Sequence, residues 1–122
     1  MHRIAGLAIG LCLAGLEAQE PVPLNLPEAA KAPVDFSRDI QPILANRCFS
    51  CHGPGQQMAG LRLDEAVAAL KGTHAGQVII PGKSAESKLI HRVASTKKGF
   101  SMPPMGDRLT AGDIALLRAW ID

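Results

Sequence analysis

A small all-α fold of short helices and long loops is what this chain of 122 residues predicts. Apolar residues recur at helical spacing in several segments that begin or end on good capping residues. The one short β-branched run, Val78-Ile79-Ile80, is halted by Pro81-Gly82 and reads as an extended wall rather than a paired strand. One Trp, three Phe and no Tyr leave few large rings to fill a core, so something besides side chains is expected to supply that volume.

The N-terminus stands apart from this domain. Arg3 precedes an apolar run over residues 4–16, and Leu16-Glu17-Ala18 fits a signal-peptidase site, so residues 1–18 are expected to be a signal peptide. Bulky Leu11 ahead of Cys12 makes a poor lipobox, which leaves Cys12 as a small apolar residue of the signal core. Export to the periplasm or cell envelope follows, with membrane attachment only if the segment stays uncleaved. Residues 19–33, with Pro21, Pro23, Pro27 and Pro33, form a Pro-rich tether, and the domain itself spans 34–122.

Within the domain, Phe36, Ile40, Ile43 and Leu44 share a helical face, with Asp35 or Ser37 as N-cap. Pro42 must kink that helix or restart it. Gly53-Pro54-Gly55 ends the segment that follows it. Asp64 is expected to cap a helix over 65–71, with Gly72 terminating it. Ser84 is expected to cap a helix over 85–95 whose inner face is Leu89, Ile90 and Val93. Residues 97–108 form a loop rich in Gly and Pro. Thr110 and Asp113 make a capping box for a last helix over 111–122 that buries Ile114, Leu117, Trp120 and Ile121.

The chemistry concentrates in Cys48-Phe49-Ser50-Cys51-His52, the Cys-x-x-Cys-His pattern of c-type haem attachment. Two thiols at that spacing reach two porphyrin vinyl groups, and the adjacent histidine becomes the proximal iron ligand. A disulfide across so short a loop would constrain the unfolded chain very little. A thioredoxin-like exchanger would need a βαβ pattern that is missing, and zinc would need a second ligand pair. One buried haem c would also fill the poorly furnished core, so the apo-chain is expected to be largely unfolded.

The sixth iron ligand is sought among Met58, Met102, Met105, His74 and His91. Met102 is preferred. It precedes Pro103-Pro104, which stiffens its loop and lowers the ordering entropy of placing a thioether. Met105 is the runner-up on the same loop. Met58 lies too near His52 to cross to the other face. His91 reads as solvent-facing and His74 as an exposed loop residue, with bis-His ligation through His74 the less favoured option.

Several ordered blocks resemble the planctomycete-type cytochrome c domain, a branch of the class I cytochrome c fold. They run from Val34-Asp35-Phe36-Ser37-Arg38-Asp39-Ile40 through Arg47-Cys48 to His52-Gly53-Pro54. Gly60-Leu61-Arg62-Leu63-Asp64, Ile80-Pro81-Gly82-Lys83, Ser87-Lys88-Leu89-Ile90, Met102-Pro103-Pro104 and Leu109-Thr110 follow. The resemblance implies thioethers at Cys48 and Cys51, a proximal His52 and a distal Met102. It also implies crossing first and last helices with Trp120 near the crossing, and fused domains beyond Asp122 in larger proteins.

The function expected is therefore one-electron transfer by an exported mono-haem cytochrome, not catalysis. The alternative is a haem enzyme or a gas or peroxide sensor with an open distal position. Lys97, Lys98 and Arg108 flank the Met102 loop, placed to steer an acidic redox partner. A net charge of +2 without a basic run or interleaved aromatics gives no nucleic-acid footprint.

Overall fold

The computed structural model describes residues 25–122. The expected signal peptide, Cys12 and the first part of the tether lie outside the described residues. Among the described residues the chain is helical, with no strand and two isolated bridges, His52 with Gln57 and Thr73 with Gly76. Four α-helices carry it: α1 (Gln41–Arg47), α2 (Ala66–Lys71), α3 (Lys88–Ala94) and α4 (Ala111–Ile121). No helix of the described residues is long and apolar enough to cross a membrane.

The first helical stretch divides at Pro42. A π-helical turn over Phe36–Ile40 comes first, capped by Asp35, whose carboxylate accepts the Arg38 N–H at 2.8 Å. Pro42 then occupies the first turn of α1, where a missing N–H leaves no helical bond unmade, so the chain restarts there. Ile40 and Leu44 are buried at 0% and 1% exposure and seat α1 in the core.

Two expected caps belong elsewhere. Asp64 does not cap α2, because Arg62 holds both its carboxylate oxygens at 2.9 and 2.7 Å. The helix starts at Ala66, with Glu65 at the cap position and no side-chain bond. Gly72 does end α2, at φ +87°, and a Cβ there would stand 2.2 Å from the Gly76 carbonyl oxygen. Ser84 does not open a continuous helix either. A 3-10 turn over Ser84–Glu86 precedes α3, which begins after Ser87. Ser87 is fully buried, its hydroxyl donating to the Lys83 carbonyl at 2.9 Å and accepting the Ile80 N–H at 2.9 Å.

The last helix follows its sequence closely. Thr110 Oγ1 accepts the Asp113 N–H at 3.1 Å, and Asp113 accepts the Thr110 N–H at 3.0 Å. Ile114, Leu117 and Ile121 are buried. Trp120 is only half-buried, because its ring packs on the partly exposed Phe36, with centroids 5.5 Å apart. That pair ties the first helical turn to α4.

The described part of the Pro-rich segment also rests on α4. Ala30 N–H donates to the Ala115 carbonyl at 3.0 Å, and Arg118 donates to the Pro27 carbonyl. Leu26 and Val34 pack against the core from this side. Val78 and Ile79 are buried without strand pairing, and the Val78 carbonyl accepts the Leu89 N–H at 2.9 Å. This bond fixes α3 beside the cavity described next.

Candidate functional site

The end of α1 delivers the cysteine pair. Cys48 closes the helix, donating its N–H to the Leu44 carbonyl at 2.9 Å. The Cys48 carbonyl then accepts from both Cys51 N–H at 3.2 Å and His52 N–H at 2.9 Å. Gly53 is required at the following position, since a Cβ would lie 2.3 Å from the Phe49 carbonyl oxygen. The loop beyond folds back on this turn: Met58 N–H reaches the Cys51 carbonyl at 2.9 Å and Leu63 N–H the His52 carbonyl at 2.8 Å. Backbone bonds thus hold the turn over residues 48–52 on both sides.

The imidazole of His52 is oriented by a main-chain partner. Its Nδ1 lies 3.3 Å from the Leu61 carbonyl oxygen. A carbonyl only accepts, so Nδ1 is the donor in this contact, and the neutral form of the ring in this pose keeps its lone pair on Nε2. Metal-binding histidines commonly have such an outer carbonyl partner. Nothing in the side-chain sequence pointed to Leu61, because the acceptor is backbone.

Cys48 and Cys51 are both free thiols. Burial, with a smaller contribution from Cys51, pushes the Cys48 thiol up to about 11. It therefore stays protonated at neutral pH, the opposite of the low-pKa thiol a disulfide exchanger uses. Among the described residues no three His, Cys, Asp or Glu side chains converge where a metal ion would sit.

A cavity of about 360 Å³ opens beside this turn, within the size range of small-molecule and cofactor pockets. Cys48, Cys51 and His52 line it, and so does Met102 from the loop that precedes α4. Leu61, Leu63 and Val78 contribute an apolar floor, and Leu89 and Val93 of α3 a wall. Charge is confined to Arg47, Lys88, Arg92 and Asp107, with Arg47 and Asp107 3.9 Å apart.

Met102 and Met105 both line the cavity but differ in setting. Met102 is half-buried against the core and its N–H is bonded to the Arg92 carbonyl at 2.9 Å. Met105 is 81% exposed. Met58, His74 and His91 do not line the cavity. His91 is not simply solvated: its Nε2 meets the Ala85 carbonyl oxygen at 2.6 Å. The His74 ring lies against Gly60, where an added Cβ would come within 2.6 Å of it. Lys97, Lys98 and Arg108 are exposed on the 97–108 loop outside the cavity lining, and Arg108 donates to the Ser95 carbonyl.

A family model described as Planctomycete cytochrome C matches residues 48–106, from the first cysteine of the pair to the loop carrying Met102 and Met105. No curated protein and no solved structure matches the chain.

Proposed function

We propose that this chain, whose residues 48–106 match the family model described as Planctomycete cytochrome C, is an exported one-electron carrier built on one covalently attached haem c. The observation that supports this best is that Cys48, Cys51, His52 and Met102 line one and the same largely apolar cavity. Two thiols, an imidazole with a free Nε2 and a thioether form a donor set that fits this group. When bound, haem c supplies an iron that alternates between ferrous and ferric.

The residues divide the work by chemistry. Cys48 and Cys51 would hold the cofactor as thioethers. His52 offers Nε2 as the proximal ligand, with Leu61 fixing its ring. Met102 offers its sulfur as the distal ligand. Its half-buried position and its backbone bond to Arg92 favour it over the exposed Met105. A haem held by both His52 and Met102 would leave no iron position open to a substrate, which favours electron transfer over catalysis. Lys97, Lys98 and Arg108 give an acidic redox partner a positive approach to the same loop. Export of the chain by residues 1–18 places that exchange in the periplasm or cell envelope.

Co-expression with a c-type maturation system tests this reading. The expected product is a coloured protein whose intact mass exceeds that of the polypeptide by one haem. Met102→Ala should retain the haem but open the distal position and lower the potential, whereas Met105→Ala should leave both unchanged. A colourless protein with free Cys48 and Cys51 thiols would remove the proposal. High-spin, five-coordinate iron in the unsubstituted protein would instead point to ligand chemistry.

A further inference from the structure

Arg92 meets the distal loop three times, with its backbone and with both ends of its guanidinium chemistry. Its carbonyl accepts the Met102 N–H at 2.9 Å. Its Nη1 donates to the Phe100 carbonyl at 3.1 Å. Its guanidinium carbon sits 4.2 Å from the centroid of the Phe100 ring, a cation–π distance. Phe100 is itself buried at 8% exposure, although it stands in a loop of turns and bends. Arg92 also lines the cavity, one helical turn after Lys88 and beside Val93 on the same face of α3.

We propose that Arg92 is a positioning residue for Met102, holding the 100–102 segment on α3 so that the Met102 sulfur is presented to the cavity. This rests on the reading of Met102 as the distal ligand. The loop has no strand partner, so its ordering entropy must be offset by fixed contacts to a rigid element. α3 is such an element, with Leu89, Ile90 and Val93 buried beneath it. Among the described residues the other backbone bonds of the 100–102 segment are local: Phe100 N–H and Ser101 N–H both turn back to the Lys97 carbonyl, at 3.1 and 2.9 Å. They shape the turn without anchoring it to the body of the domain. Arg92 joins the two. A planar guanidinium suits the task, because it stacks on a ring face while donating in its own plane to the adjacent carbonyl.

The test uses the haem-loaded protein and compares Arg92→Gln, Arg92→Lys and Met102→Ala. Ferric protein is titrated with imidazole by absorption spectroscopy, and exchange of the Met102 amide hydrogen is followed separately. A loosened loop exposes the iron more often, so Arg92→Gln is expected to bind imidazole about tenfold more tightly than the parent. Its Met102 N–H should exchange faster. Arg92→Lys should fall between, keeping the cation over Phe100 but losing the in-plane donor. Met102→Ala sets the limit for an absent ligand.

Unchanged imidazole affinity and amide exchange in Arg92→Gln, with tight binding in Met102→Ala, overturns the role of Arg92 and leaves the ligand assignment standing. Parent-like affinity in Met102→Ala instead removes the ligand assignment and this proposal with it. Should Arg92→Gln not accumulate, Phe100→Leu removes the ring but keeps the carbonyl. It is expected to loosen imidazole exclusion in the same direction, and parent-like affinity there counts against the proposal.

Discussion

His52 and Leu61 are joined by a contact of 3.3 Å between imidazole Nδ1 and a main-chain carbonyl oxygen. The orientation of this ring therefore depends on the backbone of a neighbouring loop. Contacts that hold that loop include the Leu61 N–H on the Met58 carbonyl at 3.1 Å, the Gly60 N–H on the Gln57 carbonyl at 3.0 Å, the His74 N–H on the Ala59 carbonyl at 3.0 Å, and the His74 ring against Gly60.

Gly60→Ala tests that dependence. Gly60 has φ +78°, where a Cβ is strained by about 1–2 kcal/mol. The new methyl would also meet the His74 ring. A loss of stability of at least that size is expected in urea unfolding of the haem-loaded protein. His74→Ala in the same background should recover the part due to the ring and not the part due to φ. Full recovery, or none, would show that one of the two causes is not operating.

What local chemistry decides was legible in the sequence, and what distant partners decide was not. Thr110 and Asp113 need only each other, so their capping box was readable. Gly72 likewise ends α2 by its own backbone freedom. Asp64 looked like a cap, but Arg62 two residues earlier takes its carboxylate. Ser84 looked like a cap too, yet its hydroxyl is bound by residues more than thirty positions away. At the cavity, Cys48, Cys51, His52 and Met102 were readable as chemistry-bearing types. The Leu61 carbonyl and the Arg92 guanidinium were not, because one carries no side-chain signal and the other is an ordinary helix cation until the loop folds onto it.

Leu44 supports the cysteine-bearing turn from below. It is 1% exposed, and its carbonyl accepts from both Cys48 at 2.9 Å and Phe49 at 3.0 Å. Leu44→Ala leaves those backbone bonds possible but empties a packed site, for a loss of about 2–5 kcal/mol. The midpoint of chemical unfolding should fall accordingly. A change well under 1 kcal/mol would mean that the core around α1 collapses readily into the gap.

Asp39 gives the acid limb of stability its sign. The Arg38 guanidinium, followed by the Asp35 N–H, holds its carboxyl down at about 2 from an ordinary 3.8. A carboxyl depressed in the folded state contributes stability that is present above the unfolded value and lost as pH falls through the folded one. The window therefore runs from pH 3.8 down to about 2. Arg38 is 69% exposed, so solvent and salt weaken the effect. Asp39→Asn should lower the melting temperature slightly near neutral pH and flatten its decline across that window. A parent-like acid limb in the variant would assign the decline to other carboxylates.

Buried Ser84, half-buried Arg118 and exposed Asp122 form a polar cluster away from the cavity. Ser84 is 1% exposed; its N–H and hydroxyl donate to the two Asp122 carboxylate oxygens at 2.8 and 2.9 Å, and its oxygen accepts Arg118 Nε at 3.0 Å. Arg118 reaches on to the Pro27 carbonyl, so one serine connects the 3-10 turn, α4 and the N-terminal segment. Ser84→Ala removes a donor and an acceptor together; water can reach exposed Asp122 and half-buried Arg118, so the cost is about 0.5–1.5 kcal/mol. Asp122→Ala should cost a similar amount. Because both substitutions break the same bond, the double variant should lose less than the sum, by about 0.5–1.5 kcal/mol. None of the three residues lines the cavity, so the haem spectrum should match the parent in every variant. Additive losses would show the cluster to be three separate contacts, and a shifted spectrum would show that α4 transmits strain to the site.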